Sequence, residues 1–118
     1  MVKSKTGDRD NLYHLFSYWE NMTFEIVYPK DIQTKQKEKN AIIVDLRDTG
    51  DFRKGHYQGA VNVPIESGRE NTAFFSKKRY YILYCEHGGS SMQMARKLGL
   101  AGFHVATVVG GYEAMKKI

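Results

Sequence analysis

The sequence predicts a three-layer α/β/α domain built on a five-stranded parallel sheet. Five short β-favouring runs alternate with helical segments along the chain, and such alternation places helices on both faces of a parallel sheet. Two of the runs, residues 41–45 and 80–84, are almost wholly apolar instead of alternating, which suits strands covered on both sides. The length of 118 residues, 42% hydrophobic and 26% charged, is that of one globular domain.

The elements follow in order. Residues 1–22 read as an appendage, because Leu12, Leu15, Phe16 and Trp19 stand at i, i+3, i+4 and i+7 and predict a short amphipathic helix. The domain proper is residues 23–118. Its first strand is residues 24–28, closed by Pro29, and residues 30–39 form a polar helix. Residues 41–45 are the second strand. Asp48 caps a helical turn that runs to Lys54 and stops at Gly55. Residues 60–63 are the third strand, ended by Pro64, and a short helix is expected over 71–75.

Residues 80–84 are the fourth strand. Ser90 then opens a helix with a capping box, Ser90 paired with Gln93. Met92, Ala95 and Leu98 or Gly99 are its expected buried stripe, and Gly102 suits the position just past its end. Residues 105–109 are the fifth strand. Gly110 and Gly111 turn the chain into a last helix through Lys117.

Composition excludes several classes. A single cysteine, Cys85, leaves no internal disulfide, no CxxC pair and no multi-cysteine zinc site, and points to a reducing compartment. His14, His56, His87 and His104 lack local ligand spacing, so no metal is expected. The net charge of +5 gathers in residues 35–39, 77–79 and 116–117. These groups read as solvated faces, not a nucleic-acid patch, because no nucleic-acid-binding signature accompanies them. With no secretory h-region and no apolar run of bilayer length, the expected location is cytoplasmic, away from membranes.

The chemistry converges on Cys85. It ends the fourth strand, before the loop Glu86-His87-Gly88-Gly89 and the helix from Ser90. Open α/β sheets bind ligands beyond the carboxyl ends of their strands. Two glycines permit a tight loop whose amides curl around an anion, and the helix N-terminus adds partial positive charge. Both favour a thiolate; Glu86 opposes it and a protonated His87 would support it.

These residues resemble the rhodanese family. The run Asp45-Leu-Arg47-Asp-Thr-Gly-Asp-Phe52-Arg-Lys-Gly55-His56-Tyr-Gln-Gly59-Ala60-Val-Asn62-Val-Pro64 resembles its N-terminal signature, with Tyr57 where isoleucine is usual. Residues 84–91 resemble its active-site loop. Gly102-Phe103 and Val109-Gly110-Gly111 resemble its closing motif, with Met115 where tryptophan is common. The likeness spans residues 24–118. It implies sulfur transfer through a persulfide on Cys85, with Glu86, His87, Gly88, Gly89, Ser90 and Ser91 as the binding loop and no cofactor. Asp45, Arg47, His56 and Asn62 read as structural supports. The implied partners are a small sulfur donor or a persulfide-carrying protein, and a thiol or cyanide as acceptor.

Many members carry Arg where this chain has Glu86 and Ser90. A fixed guanidinium seats a sulfonate or phosphate, so its replacement points away from thiosulfate and toward a persulfide donor, unless Arg96 or Arg69 reaches the mouth. The mercaptopyruvate-type loop of the family is not matched. Two other readings compete: a non-enzymatic binding module, and a cysteine phosphatase or arsenate reductase, which needs an Arg in its anion loop. With no second cysteine, a persulfide sulfur on Cys85 must leave to an external acceptor.

Overall fold

The computed structural model describes residues 23–65 and 72–118; the expected 12–19 stripe, Arg69 and Asn71 lie outside them. Five strands, β1 (Phe24–Val27), β2 (Ile42–Asp45), β3 (Val61–Asn62), β4 (Tyr80–Tyr84) and β5 (His104–Val108), form one sheet in the order β1-β5-β4-β2-β3. All four pairings are parallel. Asp45 lies opposite Tyr84, and Leu83 opposite Thr107. The ends of β2, β4 and β5 therefore open on the same edge of the sheet, with β4 central.

Among the described residues four helices flank the sheet: α1 (Ile32–Lys39, after a 3-10 turn at Pro29–Asp31), α2 (Thr49–Lys54), α3 (Gly89–Leu100) and α4 (Gly111–Met115). Successive strand residues face opposite sides, and they split the core in two. Ile43, Ile82, Tyr84, Ala106 and Val108 pack with Ile32 and Met115 on one face. Val44, Tyr81, Leu83 and Val105 pack with Met94, Ala95, Leu98 and Phe75 on the other. This is the predicted three-layer arrangement, and burial of each Val, Leu, Ile, Met or Phe side chain among these stabilises it by about 1.5–3 kcal/mol.

The local signals act as read at both ends of α2 and at the end of α3. Asp48 Oδ1 accepts from the Asp51 amide at 2.9 Å. Gly102, at φ +97°, closes a Schellman turn in which Gly102 and Phe103 donate to Gly99 (2.9 Å) and Leu98 (3.0 Å).

The start and the stripe of α3 differ from expectation. The cap residue is Gly88, in the left-handed region at φ +105°, and Ser90 lies inside the helix with no capping bond. The helix begins earlier because only glycine turns readily through that angle. Its buried face is Ser91, Met94, Ala95, Leu98 and Gly99, whereas Met92 is 42% exposed. The stripe starts from a buried serine, which hydrophobic periodicity does not count. The third strand is shortened to Val61–Asn62, and the expected helix over 71–75 is, in its described part, a 3-10 turn at Thr72–Phe74.

Candidate active site

Cys85 is the first residue beyond β4 and only 7% exposed. The chain bends back at Gly88, and this aims two amides at the sulfur: Gly88 N–H at 3.1 Å and Ser91 N–H at 3.2 Å. The thiol also lies 3.5 Å from Ser91 Oγ. N–H groups fixed around an atom in a dry site stabilise negative charge there without reorganising.

A second helix end holds the loop from outside. The amide of Tyr112 donates to the Cys85 carbonyl at 2.8 Å, and that of Glu113 to the Glu86 carbonyl at 3.1 Å. These amides approach so closely because Gly111, at φ +64°, has no Cβ; one built there would overlap the Cys85 carbonyl oxygen. A Cβ on Gly88 would stand 3.1 Å from the Gly110 nitrogen. The Gly110–Gly111 pair is thus part of the loop's seat.

Beside the loop lies a buried charge pair. Asp45 is fully buried, and Arg47 forks onto it with Nη2–Oδ2 at 2.8 Å and Nε–Oδ1 at 3.1 Å. Arg47 also donates to the Gly55 carbonyl (2.7 Å) and to Glu86 Oε1 (3.3 Å), and stacks over the Tyr112 ring at 4.0 Å. Burial works against the guanidinium charge, but Asp45 and then Glu86 outweigh it and hold Arg47 above its ordinary pKa. Burial is also the main cause raising the Tyr84 phenol, whose oxygen accepts from the Tyr57 amide at 3.0 Å. At the rim, hydrogen bonding with Glu86 and then with Lys116 holds the Glu113 carboxyl below the usual range. A shallow depression of about 250 Å3 is lined by Arg47, Lys54 and Lys116 as well as Asp51, Glu86 and Tyr112.

The predicted site residues divide accordingly. Cys85, Gly88 and Ser91 come together at the sulfur. Glu86, His87, Gly89 and Ser90 make no hydrogen bond to it, and Glu86 turns to Arg47. Asn62 Nδ2 bridges the carbonyls of Asp45 (3.0 Å) and Arg47 (2.9 Å), fixing the turn after β2. His56 stacks on Phe52 and bonds its carbonyl at 2.8 Å. Among the described residues no cationic side chain, Arg96 included, bonds to the sulfur, and no group of His, Cys, Asp and Glu side chains could hold a metal.

Two contributors escape sequence reasoning. Thr107, 1% exposed, lies 2.7 Å from Ser91 Oγ, and Tyr112 covers Arg47. The one available signal for Thr107 is a hydroxyl in an otherwise apolar strand end.

A family model, the rhodanese-like domain, matches residues 28–118. The chain belongs to the rhodanese family. Relatives of this rhodanese-like chain include the thiosulfate sulfurtransferase GlpE of Coxiella burnetii, 30% identical over 68% of this chain and 76% of that protein. The tRNA sulfurtransferase of Pyrobaculum aerophilum is 33% identical over 64% of this chain. The match spans only 16% of that protein's length. Among solved structures, a rhodanese-related protein from Thermoplasma volcanium has a TM-score of 0.69 at 20% identity, covering 79% of this chain and 91% of the other. A rhodanese-like domain protein from Staphylococcus aureus has 0.67 at 25%, covering 77% and 90%. Among the described residues no helix is long and apolar enough to cross a membrane.

Proposed function

We propose that the protein is a sulfurtransferase that carries a sulfane sulfur on Cys85. The observation that carries this reading is the pair of amides, from Gly88 and Ser91, fixed on a nearly buried sulfur. The Cys85 thiolate attacks the outer sulfur of a donor; the new S–S bond forms as the donor's own S–S bond breaks, and the donor remainder leaves with the electron pair. An acceptor nucleophile, a thiol or cyanide, then attacks the terminal sulfur, and the Cys85 sulfur departs as thiolate. Neither half needs a cofactor.

The preferred donor is a persulfide, on a small thiol or on a protein. The loop 85–91 contains no Arg. Arg47 is engaged by Asp45, Gly55 and Glu86, and Glu86 and Glu113 place carboxylates at the rim. With Glu86 paired to Arg47 and Glu113 to Lys116, neither of these cations is left to seat a dianion such as thiosulfate. The same lack of a loop Arg disfavours phosphatase chemistry, whose oxyanion needs a fixed guanidinium. The protein is expected to work in a reducing, cytoplasmic setting.

The test is intact-mass measurement after exposure to a low-molecular persulfide and, separately, to thiosulfate. The expected result is a gain of one sulfur atom with the persulfide, lost on cyanide treatment and absent in Cys85→Ser. No gain with either donor would sink the reading. A gain with thiosulfate equal to that with persulfide would overturn the donor preference.

A further inference from the structure

Beyond the sulfur, a short chain of hydroxyls runs into the core. Ser91 Oγ lies 3.5 Å from Cys85 Sγ, 3.3 Å from the Gly88 carbonyl and 2.7 Å from Thr107 Oγ1. Ser91 is fully buried and Thr107 is 1% exposed, so water does not compete for these bonds. Thr107 sits on β5 opposite Leu83, one residue before the end of the strand.

The inventory of protons makes the chain directional. Each hydroxyl has one hydrogen to give and lone pairs to receive. With a neutral thiol, the S–H donates to Ser91 Oγ and the Ser91 hydroxyl donates to the Gly88 carbonyl. With an anionic sulfur that S–H donor is gone. The Ser91 hydroxyl is then drawn to the sulfur as a third donor beside the two amides, and its own oxygen needs a donor in turn. Thr107 is the hydroxyl within reach.

We infer that Thr107 is a positioning residue for the sulfur-transfer reaction: it supplies the hydrogen that lets Ser91 donate to the Cys85 thiolate. This deepens the sulfurtransferase reading. The thiolate is both the attacking group of the first half-reaction and the leaving group of the second, so stabilising it serves both. With the neutral thiol the Gly88 carbonyl takes the Ser91 hydrogen and Thr107 donates to a Ser91 hydroxyl that supports no charge, so its bond is weaker there than beside the thiolate. Loss of the Thr107 hydroxyl therefore weakens the anion selectively.

The ionisable groups nearest the sulfur are Glu86 and His87 of the loop, Asp45 at the end of β2, Arg47 after it, Tyr84 of β4, and Tyr112 and Glu113 of α4; Tyr80, Tyr81 and His104 lie toward the other ends of β4 and β5, and Arg96 and Lys97 are exposed on α3. None of them hydrogen-bonds Thr107. They form a constant background when Thr107 is changed.

The experiment is the rate of Cys85 alkylation by iodoacetamide in the full chain, at neutral pH and well above the range in which ordinary thiols ionise. Thr107→Val keeps the shape and removes the hydroxyl. The expected result is that the neutral-to-alkaline rate ratio falls about fivefold, the equivalent of one net hydrogen bond, while the alkaline rate is unchanged. Thr107→Ser should restore the ratio, and Thr107→Val should have no further effect in a Ser91→Ala background. Thr107→Ala serves if the valine variant does not fold. An unchanged ratio, or neutral and alkaline rates that fall together, would overturn the inference. Alkylation requires no sulfur transfer. A wild-type protein that alkylates as expected but takes up no sulfur would sink the proposed function and leave the role of Thr107 standing.

Discussion

Replacing Arg47 by Leu should cost as much stability as a large truncation in the apolar core. Arg47 makes a two-point fork onto Asp45, a bond to the Gly55 carbonyl and a longer one to Glu86. Leucine supplies comparable apolar bulk and none of the donors. Asp45 is fully buried, so its carboxylate would lose its counter-ion without gaining water. Its remaining donors are the Arg47 amide at 2.8 Å and the Tyr84 phenol, both of which the variant keeps. Removal of one member of a buried pair typically costs about 3–5 kcal/mol, and an abandoned Gly55 carbonyl adds about 1 kcal/mol if water does not reach it. The expected loss is about 4–6 kcal/mol, read as a shift of the midpoint in urea-induced unfolding at constant slope. Arg47→Lys should lie between the two proteins, because a single ammonium cannot fork onto Asp45 and reach Gly55 at once. Below its unfolding transition the leucine variant should still take sulfur onto Cys85, since Arg47 does not touch the sulfur. A loss under 1 kcal/mol would refute the claim that this pair ties the loop after β2 to the loop after β4.

Three further outcomes follow from the same geometry. Gly111→Ala forces φ +64° on a residue with a Cβ and drives that Cβ into the Cys85 carbonyl; a stability loss of about 1–2 kcal/mol or more and slower persulfide loading are expected, and normal loading would show that the α4 clamp is dispensable. Glu86→Arg replaces a rim carboxylate by a guanidinium and should raise thiosulfate-dependent loading relative to persulfide-dependent loading, measured by intact mass. Glu25 is held below the usual carboxylate range, chiefly by the Tyr80 hydroxyl and then by Lys35. A depressed carboxyl stabilises the fold above its unfolded value and loses that contribution as pH falls through its folded one. Glu25→Gln should therefore lose under about 1 kcal/mol at neutral pH, the group being half exposed. That gap should close in unfolding measurements carried out below the range in which an ordinary glutamate ionises.

The legibility of the fold depended on what each residue was asked to do. The residues 80–84 strand is read to its ends because five consecutive apolar and aromatic side chains admit no other placement between two helical layers. Asp48 and Gly102 announce helix ends through local chemistry, and both act locally. α3 departs from its reading at the point where tertiary demand overrides local preference. A serine–glutamine capping box is a helix-start signal only if the chain reaches it in an extended conformation. Here the left-handed Gly88 has already started the helix, so that the Ser91 amide points at Cys85. The stripe shifts for the same reason, since its first buried member is polar. Cys85 and its loop are legible because they are contiguous. Thr107 and Tyr112 are not, since their relevance arises only when β5 and α4 are placed against β4, and a lone threonine in a strand is ordinary usage.

On the proposed function, the loop's geometry also accounts for an anionic sulfur in a site with so little positive charge. A guanidinium in the loop would supply charge at the mouth, where the donor's own charge is decisive. This chain instead concentrates N–H dipoles at the sulfur and spends its nearest guanidinium on Asp45. Such dipoles are fixed by α3 on one side and, through the loop carbonyls, by α4 on the other, and in a nearly buried site they act with little screening. They stabilise the charge common to every step, that of the Cys85 sulfur, and leave recognition of the donor to the rim. On the proposed function, donor choice then rests with Glu86, Glu113 and the cations they engage, Arg47 and Lys116, away from the sulfur. Nucleophile strength and donor choice are thus set by different atoms, and Glu86→Arg should alter the second while leaving the alkaline alkylation rate of Cys85 unchanged.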